Sequence, residues 1–397
     1  MKTRYPTRFI ICLCACGYLL ACSDSESTNQ NQDQPDVGPV HDADPPPTDS
    51  NGNDASGTDA NGDDTNGDEP PPGDSRWAFQ ASDDIISSPL VDDGVVYFGS
   101  QDGHLYAVDT SDGSQIWSFD TGGIITSSSP VLSGDGAVYI GNTDHFFFAV
   151  DISDGSELWS FETGHQVIAT AAVDADGTVY IGSNDAHLHA LDPDDGSVIW
   201  SFETGNSIEA TPVFGDDGTV YFGSRDHHFY ALDPSDGSEI WSFDTGDQIR
   251  SSPALAADGT LYTGSNAGSL FAIDSADGSE IWRFDAGSPV NFPTLGDDGT
   301  IYVASRDEDA YIAVDGTDGT EMWRFQTDGM VLNAPRLDGQ GTIYVGSVDR
   351  NLYAVDASDG TELWSFQTGD GIFTRPDLDD DTVYVGSRDG HLYAVER

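Results

Sequence analysis

The chain ends on HLYAVER, residues 391–397. Seven other stretches read much the same way but continue, as in LYAVDTSDGSQIWSF (105–119). There an apolar run meets an Asp-Gly turn, and a second strand-like stretch carries Trp117. The last copy breaks off after Ala394-Val395 with no tryptophan stretch behind it. Finding that missing strand decides the architecture.

Tryptophans stand at Trp77, Trp117, Trp159, Trp200, Trp241, Trp282, Trp323 and Trp364, about 41 residues apart. A period of that size belongs to propellers and solenoids. One period holds four short strand-like segments. In the fourth copy these are ATPVF (210–214), VYFGS (220–224), FYALD (229–233) and EIWSF (239–243). Asp-Gly pairs between them supply the positive backbone angles of tight hairpins. No segment has the period or length of a helix. Four antiparallel strands per repeat make a propeller blade.

The eighth copy has RPDL, TVYVGS and HLYAV but lacks its tryptophan strand. One unattached tryptophan strand, Arg76-Trp77-Ala78-Phe79, opens the repeat region at the other end of the chain. Pairing the two covers an edge that an open sheet leaves bare. The sequence thus predicts an all-β, eight-bladed β-propeller over residues 76–397, its ring closed by the Trp77 strand.

Seven times the chain reads A-x-D-x-x-x-G-x-x-x-W, as at Ala107, Asp109, Gly113 and Trp117. This resembles the tryptophan-docking motif of the PQQ-like repeat family, first recognised in quinoprotein dehydrogenases. The motif also has its own logic. Alanine and glycine leave room, the aspartate ties a turn, and the indole covers the next blade. Such residues report the fold and are silent about activity.

The N-terminus reads as an address. A basic segment, MKTRYPTR, precedes an apolar run, FIICLCACGYLL, too short for an ordinary membrane span. Leu19-Leu20-Ala21-Cys22 resembles a bacterial lipobox. The resemblance implies cleavage after Ala21, a signal peptide over 1–21, lipid on Cys22, and a membrane contact through that anchor. Cys12, Cys14 and Cys16 would leave with the signal, so disulfides play no part. Residues 22–75 carry acids, prolines and almost nothing apolar, and are expected to be a disordered tether. The stretch DANGDDTNGDE faintly resembles a calcium loop but lacks glycine at the proper sixth position and a closing bidentate glutamate.

Charge excludes one class of partner. The formal net charge is −56, and no lysine or arginine lies between Trp77 and Ser224. Such a surface repels phosphate backbones, so nucleic acid is excluded. The acidity suits solubility in a saline medium, or attraction to a basic partner or to calcium. The only lysine is Lys2, which rules out a P-loop and a Ser-Lys nucleophile in the propeller.

Two function classes follow from the resemblance. A quinoprotein dehydrogenase would need a PQQ pocket, a calcium ion and a catalytic aspartate. Here the propeller has no cysteine, and the even spacing leaves no insertion for a cofactor lid. The sequence therefore predicts no catalytic residue, no cofactor and no metal, with PQQ-dependent oxidation as the alternative. Signal, tether and propeller together resemble the BamB-type lipoproteins of the outer-membrane β-barrel assembly machinery. That resemblance implies docking onto the barrel insertase, with no chemistry. Beside it stands a generic envelope propeller, expected to be monomeric, that binds a protein partner or ligand at the outer membrane.

A site is sought where blades differ, at the entry to each first strand: DIISSP, SIEATP, QIRSSP, PVNFP, VLNAP and GIFTRP. Three residues before the proline most copies are apolar, but the fourth has Glu209 and the fifth Arg250. These two are expected to pair at the channel mouth, with His165, Asn291, Asn333 and Arg375 as further candidates. His187 and His189 share a strand face. They are read with His104, His228 and His391 as rim residues rather than metal ligands, because equivalent positions on different blades lie too far apart.

Overall fold

The computed structural model describes residues 72–134 and 136–397. The expected signal peptide, Cys22 and nearly all of the expected tether lie outside them.

The described chain forms eight four-stranded antiparallel sheets. Blade one runs through Leu90–Asp92, Val95–Gly99, His104–Asp109 and Gln115–Asp120. Blades two to seven follow over 131–162, 172–203, 213–244, 254–285, 290–326 and 336–367. Blade eight takes Asp377–Leu378, Thr382–Gly386 and His391–Glu396 from the C-terminus and Ser75–Gln80 from the N-terminus.

The seam reproduces the register of an uninterrupted blade. Trp77 stands opposite Ala394, as Trp117 stands opposite Ala107. The turn is also rebuilt across the break. In blade one, Gly113 N–H donates to Asp109 O (3.0 Å) and Asp109 N–H to Ser114 O (2.9 Å). In blade eight, Gly73 N–H donates to Glu396 O (2.9 Å) and Glu396 N–H to Asp74 O (2.8 Å). Ala394, Glu396, Gly73 and Trp77 are therefore the eighth motif, split between the termini. The fold starts slightly earlier than residue 76 because Gly73 and Asp74 supply this turn.

Eight apolar clusters fill the gaps between blades. One joins Tyr139, Phe147 and Trp159 of blade two to Val179, Ile181 and Leu191 of blade three. Another joins Trp77, Tyr384 and Leu392 of blade eight to Val96 and Phe98 of blade one. Each tryptophan from Trp77 to Trp323 donates its indole N–H across such a gap, as Trp77 does to Thr110 O (2.8 Å) and Trp200 to Pro234 O (2.8 Å). The indole lies on the motif glycine of the next blade. A Cβ at Gly113, whose φ is +73°, would fall 2.7 Å from the Trp77 ring. Trp364 covers Gly73 in the same way and completes the circle.

Blade six departs from the pattern. Its entry, VNFP, is one residue shorter than the IISSP of blade one. Phe292 adopts φ +55°, and the register shifts between Asn291 and Thr294. A short 3-10 turn, Arg306–Glu308, follows its second strand.

Candidate functional site

Antiparallel pairing puts the end of each second strand beside the start of the first. The inner entry loops and the turns after the second strands therefore share one end of the ring. Glu209 and Arg250 meet there: Arg250 Nη1 lies 3.8 Å from Glu209 Oε2. The pair is enclosed, with only 9% and 10% of the two side chains exposed. A closer partner escaped the sequence reading. Arg225 Nη1 donates to Glu209 Oε1 at 2.9 Å, and its Nε donates to Gln248 Oε1 at 3.2 Å. Arg250 Nη2 reaches the same amide oxygen at 3.4 Å. The signal was present: Arg225 directly follows the Gly-Ser that ends its second strand. Arg388 holds the same place in blade eight, and its Nε donates to Asp84 Oδ2 at the entry to blade one (2.7 Å).

The other candidates scatter. His165 is exposed, stacks on His145 (centroids 5.4 Å apart) and accepts the Gln166 N–H at Nδ1 (2.9 Å), apart from the Glu209 network. Asn291 sits at the blade six irregularity with a buried Oδ1 that accepts no hydrogen bond. Asn333 contributes its backbone carbonyl, which accepts the Tyr311 hydroxyl (3.1 Å). That phenol also reaches Gly346 O (3.1 Å), and its burial pushes its pKa upward.

Arg375 lies one residue before its proline. Enclosure depresses its guanidinium pKa, and Arg336 beside it adds repulsion, with Asp377 opposing. Arg336 Nε is 3.0 Å from Asp377 Oδ1. The Asp377 Oδ2 is already committed, accepting the Val91 N–H of blade one (2.9 Å).

The histidines stand in a recurring clamp. Asp102 accepts the His104 N–H at Oδ1, and the Tyr106 hydroxyl and Ser82 N–H at Oδ2. Asp226 repeats this with His228, Tyr230 and Gly205, and Asp389 with His391, Tyr393 and Gly369. Each clamp ties a blade to the fourth-strand exit of its predecessor. Burial and the Asp389 carboxylate push the Tyr393 phenol up to about 12. In blade three His189 replaces the tyrosine, stacking on His187 (5.6 Å) and accepting or donating at Ser201 Oγ (2.8 Å). Burial alone would raise the Asp185 carboxyl, but the His189 imidazole 3.6 Å away and the N–H groups of Gly164 and His187 hold it well below the usual carboxylate range. Among the described residues, no group of three or more His, Cys, Asp or Glu side chains is placed to hold a metal ion.

The family model described as outer membrane protein assembly factor BamB matches residues 68–169, 148–253, 225–339 and 331–397. The chain belongs to this family. Its propeller is similar to the crystal structure of BamB from Moraxella catarrhalis, with 20% identity and a TM-score of 0.68. That match covers 82% of this chain and 99% of the other. It is also similar to the computationally designed Ika8 protein, at 17% identity and a TM-score of 0.71, covering 80% and 98%. At these identities the solved structures speak for the fold alone. No curated protein sequence matches the chain. What a PQQ-repeat blade needs is accounted for here by docking and clamping. The arginines at one end of the ring are not needed for that docking and clamping.

Proposed function

We propose that this chain is a non-catalytic, lipid-anchored scaffold of the bacterial cell envelope that docks onto a β-barrel assembly complex at the outer membrane. The observation that carries the reading is the family match spread across the whole propeller. The recurring acids support it, because they serve turns and inter-blade clamps rather than converging on a reaction centre. Cys22 is the anchor, and residues 23–71 are long enough to hold the ring away from the membrane surface.

The docking face is the anionic arc of blades one to three, which contains no lysine or arginine. A partner with a basic patch is steered there. Exposed Glu157, Glu162 and Glu203 lie on this arc.

The test is a crosslinked pull-down of the tagged protein from intact cells, with partners identified by mass spectrometry. The barrel insertase and its companions should dominate the capture. Their absence ends the assembly reading. Glu162→Lys with Glu203→Lys should weaken capture more than Glu321→Lys with Glu362→Lys in blades six and seven. Equal losses would remove the assigned face while leaving the scaffold role.

A further inference from the structure

In four blades the residue before the inner-strand proline (Ala171 takes the proline's place in blade three) carries a hydroxyl that accepts a backbone N–H from the preceding blade. Ser88 Oγ takes the Arg375 N–H (2.9 Å), and Ser129 Oγ takes the Ser88 N–H (3.0 Å). Thr170 Oγ1 takes the Ser129 N–H (3.0 Å), and Ser252 Oγ takes the Thr211 N–H (2.9 Å). These four bonds form a partial girdle between inner strands, and each of the four side chains turns back toward the preceding blade.

Blade eight places Arg375 at this position. Guanidinium has five donors and no acceptor, so it cannot make the girdle bond. The Arg375 guanidinium lies close enough to a second cation, Arg336 of blade seven, to be repelled by it. Its Nε is buried and has no hydrogen-bond partner among the described residues. The Arg336 Nε, close to Asp377, also lacks an aligned hydrogen bond. One carboxylate, already holding Val91, thus faces two guanidiniums.

Several other arginines are paired more closely. Arg225, Arg283, Arg388 and Arg397 each lie within 2.9 Å of a carboxylate oxygen. A chain with net charge −56 has acids to spare, yet none completes this cluster. Burying an unpaired donor costs about 1–3 kcal/mol, and more for a charged group. A bound oxyanion would remove that cost, because a planar guanidinium fork matches carboxylate or phosphate oxygens.

We propose that Arg375 and Arg336, on the inner strands of blades eight and seven, form a binding site for a small oxyanion, a carboxylate or a phosphate. The site is separate from the anionic docking arc and does not rest on the scaffold reading.

Thermal unfolding of the purified full-length chain tests it. Sodium phosphate and sodium acetate are each titrated against sodium chloride at matched ionic strength. The expected result is a saturable rise in Tm of about 2–4 °C with phosphate, acetate or both, the two arms separating the sources. Arg375→Ser restores the girdle residue of other blades and should abolish the rise. Arg283→Ser, on an exposed outer strand, should keep it. A rise equal to that in chloride, or one that survives Arg375→Ser, overturns the proposal. If Arg375→Ser does not fold, crystals of the unaltered protein soaked in selenate decide: an anomalous peak at Arg375 supports the site, and no peak there overturns it.

Discussion

Blade four and blade eight solve one packing problem with different covalent means. In blade four a continuous chain turns from the third strand to the fourth, with Gly237 N–H donating to Asp233 O and Asp233 N–H to Ser238 O (both 2.9 Å). In blade eight the same two bonds form between residues from opposite ends of the molecule. The blade is therefore defined by register and docking, and connectivity is incidental. The difference lies in what secures the turn. Asp233 accepts Ser235 N–H (2.9 Å) and Oγ–H (2.6 Å) within its own loop. Glu396 instead holds Arg76, and the final residue, Arg397, grips Asp338 Oδ2 of blade seven (2.9 Å). Ion pairs replace local turn bonds where no peptide bond joins the strands.

The largest effect should come from the indoles. Trp77→Ala and Trp241→Ala each remove a ring packed on the next blade's glycine and one indole bond. Each should cost about 3–5 kcal/mol in urea unfolding. Near-equal losses would establish that the seam is as strong as a continuous blade. A much smaller loss at Trp77 would show instead that the ring stands open at the seam.

Next comes the terminal arginine. Asp338 has only 4% of its side chain exposed, and its carboxylate accepts Thr342 and Gln340 N–H as well as Arg397. Burial opposes the charge, but these bonds outweigh it and depress its pKa. Asp338→Asn should cost about 2 kcal/mol at pH 7, because Arg397 then keeps only the Asp379 and Asp380 carbonyls and loses its charged partner. A depressed folded-state pKa makes the contribution complete above about pH 4, the unfolded carboxyl range, and lost as pH falls through the folded value. The difference between Asp338→Asn and the unaltered chain should therefore shrink on acidification from pH 5 toward pH 2. A pH-independent difference would place the effect in packing rather than charge.

Glu396→Gln sharpens the comparison further. The Arg76–Glu396 pair is part-exposed, so the loss should be about 1 kcal/mol and should fade in high salt. Asp233→Ala in blade four removes the acceptor of two local turn bonds and should lose a similar amount with weaker salt dependence, because no ion pair is broken.

The ring was legible because each of its requirements repeats. Glycine at positive φ, tryptophan at a fixed distance and alanine opposite it recur in every copy, and a missing strand at one end matched a spare strand at the other. The Glu209–Arg250 contact was legible for the same reason: equivalent positions on adjacent blades come together. Arg225 was missed because it belongs to another strand, reached only through antiparallel pairing. The irregularity of blade six lay hidden because the shortened entry and the 3-10 turn leave the overall period unchanged. The hydroxyls of Ser88, Ser129, Thr170 and Ser252 resembled ordinary loop serines and threonines. Their role is visible only when neighbouring backbones are in place.

That girdle gives the smallest and most local prediction. Blades one to three carry an unbroken hydroxyl series, whereas blade eight carries Arg375. Ser129→Ala removes one acceptor and leaves the Ser88 N–H unpaired beside the channel, where water can replace the bond. The cost should be about 1 kcal/mol. Its local signature is faster amide exchange at Ser88, with the Ser129 amide, still bonded to Thr170, unchanged. Ala334 precedes Arg375 in the ring and faces no hydroxyl, so its amide should already exchange at the rate Ser88 reaches in the variant. If Ala334 is instead strongly protected, something other than a hydroxyl accepts its proton, and the contrast between the two walls of the channel disappears.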